Sequence, residues 1–402
     1  MVNNIIVVGA GAAGYFASIN CAENNPKSRV LLLEGSQKPL VKVAVSGGGR
    51  CNVTHHCFDP VELVKKYPRG YRELRGPFTR FQPSDTIEWF RKREVLLKVE
   101  EDGRMFPVTD SSQTIIDCLE REAQKNNVQL ELVVKIKKIK VTGQGFELST
   151  QTNKVYHSNK LVMATGSSRS GMELVQSLGH RIKTCVPSLF TFKVQDPRLS
   201  DLQGVSFKNV RMTLYIKDKK VHEENGPLLI THWGLSGPAV IRLSAWGALA
   251  LFKSQYQAEL KLNFMPQKND MYQYLRDYKD RFPTRVLKKS ICEELPKRYW
   301  LRLLEITHVS PMLTWGQLNK DKLNRISKEL ERASFDIVGK GQFKEEFVTC
   351  GGVDLKEVDF KTMESKLCPG LYFAGEILDI DGITGGFNFQ NAWTTAWLAS
   401  QG

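Results

Sequence analysis

No stretch of about 18 uninterrupted apolar residues occurs in the 402-residue chain; the best candidate, AVIRLSAWGALALF, is interrupted by Arg242. A membrane-spanning helix is therefore not expected. The opening MVNNIIVVGAGAAG has no basic n-region and puts glycines where a signal peptide would continue its apolar run, so a cytoplasmic protein is expected. The eight cysteines (Cys21, Cys51, Cys57, Cys118, Cys185, Cys292, Cys350 and Cys368) form no C-x-x-C, and a chain this long needs no disulfide staples, so they read as reduced thiols. There is no Walker A motif, no H-E-x-x-H, no second G-x-G-x-x-G and no internal repeat. HWGLSGP misses the nucleophile-elbow pattern G-x-S-x-G because Pro238 stands where the second glycine belongs; Ser236 is expected to cap a helix that Pro238 begins.

What the chain has is basic charge. The formal net charge is +14, spread over several clusters, which favours an acidic partner, nucleic acid foremost, or a solvated basic surface. Segment 62–93 carries nine Lys and Arg (Lys65, Lys66, Arg69, Arg72, Arg75, Arg80, Arg91, Lys92, Arg93) against four acids, with Tyr67, Tyr71, Phe78 and Phe81 interleaved. That mixture suits phosphate neutralisation with base stacking, and it equally suits amphipathic helices whose aromatics are core.

The apolar run NIIVV (4–8) reads as a buried parallel strand, followed by GAGAAG and a helical stretch, then a second strand RVLLLE (29–34). Gly9, Gly11 and Gly14 form G-x-G-x-x-G after a strand and at a helix start: the first for the tight turn, the second for approach of a pyrophosphate, the third for close helix–strand packing. Glu34 ends the second strand, where a carboxylate accepts from ribose hydroxyls and repels a 2′-phosphate, so the site should hold FAD or NAD rather than NADP. Two later strand–glycine elements, ATG (Ala164, Thr165, Gly166) and AGE (Gly375, Glu376), imply further contacts to an extended cofactor. The glycine pair Gly385–Gly386 opens a final helix whose N-terminus suits the pyrimidine end of a flavin.

SGGGRCNVTHHC (46–57) packs three glycines, two cysteines and two histidines together. It reads as a cofactor clamp or as a metal knuckle of Cys51, His55, His56 and Cys57, the latter with cramped tetrahedral spacing. Together with GAGAAG, DGRMFP (102–107), THWGLSGPAVIRLS (231–244) and TMESKLCPGLYFAGEILDIDGITGGFNFQNAW (362–393), SGGGRCNVT preceded by Lys42 resembles the BaiN/RdsA flavoproteins, NAD(P)/FAD-dependent oxidoreductases, over nearly the whole chain. His55, where the family often has Asn, and the tail TTAWLAS depart from its pattern.

The resemblance implies an α/β fold, a split Rossmann-type FAD-binding domain with an inserted β-barrel-like domain and helical sub-bundle. The expected boundaries are 1–189 and 346–402 for the FAD-binding domain and 190–345 for the insert, with helices over about 268–333. It also implies that Ser46–Asn52 wraps the flavin. The resulting set of candidate cofactor-binding residues is Gly9, Gly11, Ala12, Ala13, Gly14, Glu34, Lys42, Ser46, Gly47, Gly48, Gly49, Arg50, Cys51, Asn52, Val134, Ala164, Thr165, Gly166, Gly375, Glu376, Asp381, Gly385, Gly386, Phe387 and Asn388, with no metal. Cys51 beside Arg50 is the candidate proton donor, or a small residue packed under the isoalloxazine. NADH or NADPH is expected as a transient electron donor, having no dedicated domain.

The expected activity is reduction of an electron-poor C=C bond, with uridine in rRNA as first choice of substrate and segment 62–93 as its contact. The alternatives are a small-molecule flavoenzyme (steroid-type ene-reductase or amino-ketone oxidase) and a flavin-containing RNA-binding factor without turnover. The family resemblance implies these substrate classes.

Overall fold

In a computed structural model, which describes residues 4–289, 291, 294–341 and 348–402, the apolar runs pair as buried parallel strands. The central strand Asn4–Val8 lies between Arg29–Leu33 and Lys160–Met163, both parallel to it, with Ile6 opposite Leu31 on one side and Leu161 on the other. The sheet continues through Gln129–Glu131 beyond Arg29–Leu33, and through Leu371–Phe373 beyond Lys160–Met163, again in parallel. Two short antiparallel strands, Glu364–Ser365 and Val358–Asp359, complete seven strands. Both faces of such a sheet are covered, which is why Ile5, Ile6, Val7, Leu32, Leu33, Leu161 and Val162 are all buried without alternation. This is a Rossmann-type sheet.

The chain divides into two units, Met1–Val186 with Val348–Gly402, and Pro187–Phe347. The second unit is built on a closed six-stranded barrel of Phe192–Val194, Gly234–Ser236, Lys219–Thr231, Ser206–Ile216, Ala258–Asn263 and Ala333–Lys340, every pair antiparallel. Met212, Leu214, Leu260 and Leu262 fill its interior. Helices Met271–Arg281, Lys297–Ile306 and Lys320–Arg332 supply further buried residues to the same core, among them Leu275, Trp300, Leu303 and Ile326.

Several local expectations change. The run 60–95, with Pro68, Pro77 and Pro83, reads from its sequence as helical pieces broken at each proline, yet Pro77 lies inside a short helix, Arg75–Phe78; a four-residue turn has no i−4 carbonyl inside it for the ring to meet. Pro83 opens the helix Pro83–Arg91. Ser236 is the end of a strand, and Gly237, with φ +105°, is the N-cap of the helix Pro238–Lys253. A Cβ at Gly237 would sit 2.8 Å from the Pro227 carbonyl oxygen, so the barrel leaves room only for glycine there. All seven described cysteines are free thiols; Cys292 lies outside the described residues.

A buried polar clasp ties the first unit together across long sequence separations. The Ser365 hydroxyl accepts from the Leu367 and Cys368 N–H groups and lies 2.9 Å from His180 Nε2; His180 Nδ1 lies 3.1 Å from Glu357 Oε2. Burial lowers the histidine pKa, and the Glu357 hydrogen bond only partly opposes it. The folded state therefore binds that proton less readily than the unfolded chain does. Stability is complete above pH about 6.5, the ordinary histidine value, and is lost progressively below it. Thermal unfolding followed from pH 8 to pH 5 should show a falling Tm in the wild type and a shallower fall in His180→Gln. Parallel curves would contradict this assignment.

Candidate functional site

Parallel register sends the C-terminal ends of strands 4–8, 160–163 and 371–373 out of the same edge of the sheet, and with them the three glycine-bearing turns. Gly9, at φ +102°, packs so closely that a Cβ would lie 2.5 Å from the Ala164 carbonyl oxygen and 2.9 Å from Thr165 Cα. A Cβ on Gly14 would lie 1.7 Å from the Gly9 carbonyl oxygen, which fixes helix Ala12–Asn24 against the strand. Gly11 differs: nothing lies within 4 Å of its Cβ position. The three glycines thus divide into two packing positions and one open position, the division that the spacing implies.

Glu34 is held by its own turn. Oε2 accepts from the Ala10 N–H at 2.7 Å and Oε1 from the Ser36 N–H at 2.9 Å, which orients the carboxylate and leaves further lone pairs available. Val134 lies beside it, donating its N–H to the Glu34 carbonyl oxygen at 2.7 Å.

On the neighbouring strand ends, Lys42 Nζ donates to Glu376 Oε2 at 2.6 Å, while Glu376 Oε1 accepts from the Thr349 N–H at 2.9 Å. The Cβ position of Gly166 is 3.5 Å from Glu376 Oε2. A Cβ on Gly375 would lie 2.8 Å from the Ala13 side chain and 3.7 Å from that of Ala392, so the 375 turn touches both helix Ala12–Asn24 and helix Phe387–Ser400. Both helices begin on glycine, with no side-chain cap and no acid in the first turn, which leaves free N–H groups and a partial positive charge at each start.

The triple-glycine segment winds left-handed: φ is +57°, +71° and +84° at Gly47, Gly48 and Gly49. The Cys51 N–H closes the turn onto the Ser46 carbonyl oxygen at 3.0 Å. A side chain on Gly47 would strike Phe106, whereas nothing faces Gly48 or Gly49. Asn52, with its amide turned to suit its neighbours, accepts from the Gly386 N–H at 2.9 Å, and the Gly386 Cβ position is 2.4 Å from the Thr54 carbonyl oxygen. The 46–52 turn and the 385–388 turn are therefore in direct contact. Residues Gly9–Gly14, 164–166 and 375–376 adjoin them through the two helices. Thr165 Oγ1 and Asn391 Oδ1 are buried within this constellation without a hydrogen-bond partner.

Other candidate residues are occupied elsewhere. The Asp381 carboxylate is fully buried and bonded by both Arg69 Nε and Nη2, so its charge is spent inside the protein. The Asn388 side chain closes its own loop, accepting from the Gly382 N–H and donating to the Gly382 carbonyl, both at 2.8 Å. The buried Phe387 ring stacks on His55 at 4.6 Å. Arg50 lies over the Phe106 ring and pairs with Glu100 at 2.6 Å, so it does not favour a Cys51 thiolate. Burial pushes the Cys51 thiol up to about 12, opposed only by a hydrogen bond with Ser46. Among the described residues no group of three or more His, Cys, Asp and Glu could hold a metal ion. His55 Nε2 instead meets the Asp102 carbonyl, which only accepts, so the neutral ring carries its proton there and its buried Nδ1 is bare.

Segment 62–93 packs its rings inward. Tyr67, Phe78 and Phe81 are core, and of the four only Tyr71 is exposed. Seven of its nine cations are engaged: Lys65 with Glu62, Arg69 with Asp381, Arg72 with the Tyr71 hydroxyl, Arg91 and Lys92 with Glu88, Arg93 with Glu23 and Glu122, and Arg80 with the Lys361 carbonyl. The charge–aromatic mixture is an amphipathic covering of the core, not a stacking platform.

One residue escaped the sequence reading. Asp379, in the loop after Glu376, is half-buried, and burial together with the adjacent Asp381 carboxylate pushes it up to about 6, against the pull of Arg69 and Lys183. The alternation DID was the available signal, since two carboxylates one residue apart on an extended segment share a face and repel.

Comparison with known proteins agrees with this architecture. Residues 3–402 match the family model described as "HI0933-like protein Rossmann domain". The chain is 32% identical to the ribosomal RNA dihydrouridine synthase of Escherichia coli, covering 98% of this chain and 96% of that one. It is 26% identical to the 3-dehydro-bile acid delta(4,6)-reductase of Clostridium scindens, covering 99% and 98%. Among solved structures it resembles a 3-ketosteroid-delta4-(5alpha)-dehydrogenase from Rhodococcus jostii RHA1, with a TM-score of 0.51, 14% identity and coverage of 99% and 97%, a likeness of fold. A Rossmann sheet with three glycine turns at one edge, matched by a family model along nearly its entire length, makes the chain a member of the HI0933-like Rossmann-domain family.

Proposed function

We propose that the chain is a FAD-dependent oxidoreductase that reduces an electron-poor C=C bond, with uridine of ribosomal RNA as substrate and NADH or NADPH as the soluble electron donor. The observation that carries the cofactor reading is the edge of the parallel sheet, where Gly11 leaves open room in front of an uncapped helix start and Glu34 stands oriented one strand away. The fit is good: two buried oxygens, on Thr165 and Asn391, await partners, and the left-handed run 47–49 leaves bare backbone that a flat ring system can approach. The substrate reading is supported by the E. coli relative's name, and reduction of a conjugated C=C by that of the C. scindens relative.

FAD, when bound, supplies two-electron hydride chemistry. The chain's own part is to bind and orient. The free N–H groups of helix Ala12–Asn24 hold the pyrophosphate, and Glu34 takes the ribose hydroxyls. The start of helix Phe387–Ser400 offers its N–H groups to negative charge on the ring system. Lys42, paired with Glu376, and the Ser46–Asn52 turn enclose it. Saturating a C=C bond also takes a proton. A thiol raised to about 12 and sealed in the interior is a weak source, whereas a carboxyl at about 6 is protonated in a useful fraction near neutrality. On that ground we propose Asp379, a second candidate alongside Cys51, as the residue that holds that proton.

Three outcomes test this reading. Gly11→Val should fold with an unchanged Tm yet lose at least tenfold in FAD affinity, measured by titrating the apoprotein, because nothing lies within 4 Å of the new Cβ and the side chain fills the open position. Gly14→Val, by contrast, should lower Tm outright. Asp379→Asn should be more stable than wild type at pH 8 by on the order of 1–2 kcal/mol, allowing for partial exposure, and no more stable at pH 4. The sign follows from a carboxyl raised in the folded state: its cost begins as pH rises past the ordinary 3.8 and is complete above about 6. The same substitution should remove the decline in turnover above that pH, whereas Cys51→Ser should keep it. Finally, NADPH or NADH should bleach the yellow holoprotein anaerobically, and an unmodified rRNA fragment should restore the colour while gaining two hydrogens on one uridine. Restoration by a steroid enone and not by RNA would shift the substrate to a small molecule.

A further inference from the structure

With all but Tyr71 of the rings in segment 62–93 buried, the surface that would meet RNA is sought elsewhere. The charge is not evenly shared. The unit Pro187–Phe347 contains 27 Lys and Arg against 18 Asp and Glu, so it supplies nine of the net +14 from two-fifths of the chain.

Within that unit, helix Pro238–Lys253 lies along strand Lys219–Thr231 in a fixed alignment. Arg242 bonds Glu224 at 3.1 Å and the Asn225 carbonyl at 2.8 Å, and four residues on, the Trp246 ring stacks on His222 at 4.7 Å with an interplanar angle of 20°. Four helical residues advance about 6 Å and two strand residues about 6.6 Å, so the two elements stay in step. Continuing that step brings Lys253 level with the hairpin turn that carries Lys217, Lys219 and Lys220. Between these ends the helix exposes Leu249 (40%) and Phe252 (45%), the latter with one side of its ring edge-on to Tyr256 at 6.5 Å. Lys217, Lys219 and Lys253 are exposed and have no ion-pair partner among the described residues, while Lys220 pairs with Glu223.

We infer that this face, comprising Trp246, Phe252, His222 and the lysines 217, 219 and 253, is where a single-stranded stretch of RNA docks. The inference rests on the RNA-substrate reading above. Rings set among uncommitted cations are what such a strand needs: π-faces for its bases and ammonium groups for its phosphates, at a spacing the helix and hairpin fix. Charge selects this occupant over the others the apolar groups would suit. A second copy of a unit with a nine-charge excess would be repelled, and a lipid surface calls for a broader apolar face than two isolated side chains.

Fluorescence anisotropy of a short labelled single-stranded RNA against the flavin-loaded protein, over a salt series, tests it. Trp246→Ala combined with Phe252→Ala should weaken binding at least tenfold. The triple change Lys217→Gln, Lys219→Gln, Lys253→Gln should flatten the slope of log K against log salt by about 2. Lys65→Gln with Arg75→Gln in segment 62–93 should leave both within twofold of wild type. The lysine variant disturbs no packing, so it reads cleanly even if the aromatic one is destabilised. Wild-type RNA binding with the lysine variant unchanged overturns this surface and leaves the proposed function standing. Failure of the wild type to bind RNA at low salt overturns both. Selective loss of self-association, or of sedimentation with phosphatidylglycerol vesicles, without loss of RNA binding would assign the face to those partners instead.

Discussion

The structure depends on the parallel pairing of three strands from distant parts of the chain, Asn4–Val8, Lys160–Met163 and Leu371–Phe373. Parallel strands cannot be joined by a tight turn, so each must be followed by a long return, and each then releases its next residues at the same edge. That single constraint gathers residues 9–14, 164–166 and 374–376, which no local interaction could bring together. It also allows a whole barrel unit to be inserted in one of the returns, since the sheet specifies only where the chain re-enters.

Features that a residue fixes through its own backbone were legible in the sequence. Gly9, Gly11 and Gly14 have separate roles because each sits at a set point of one strand–turn–helix unit, and the structure divides them as the spacing implies. The contact between the 46–52 and 385–388 turns followed from reading both as walls of one site. Features that depend on a distant partner were not legible. Asp381 looks like a site carboxylate until Arg69, 312 residues away, claims it. Arg50 looks like an activator of Cys51 until Glu100 and Phe106 hold it. Segment 62–93 has one composition and two possible foldings, and the core, needing Tyr67, Phe78 and Phe81, decides between them. Ser236 and Gly237 differ by one position because the barrel wall excludes a side chain at 237.

The site is also where the molecule tolerates unfavourable chemistry. A non-glycine at φ +60° in Cys51, an unpaired Thr165 hydroxyl and a carboxylate forced against another at 379 and 381 all fall within one region. Each costs free energy in isolation, and the surrounding sheet, the buried Arg69–Asp381 pair and the Ser365–His180–Glu357 clasp hold them in place. Where local rules are broken together, a ligand that relieves them is the economical explanation.

The order of the strands has a consequence for biosynthesis. The ribosome delivers the first two parallel partners early, but the strand at 371–373 and the helix that packs on Ala12–Asn24 emerge only after the entire barrel unit has been made. At ordinary translation speeds the nascent first unit waits roughly 8–30 s with strand Lys160–Met163 as an open edge and Phe16 without its contact to Trp393. The barrel, contiguous in sequence, is complete before the sheet is, and the half-built sheet keeps an edge open to wrong pairing until its last strand arrives.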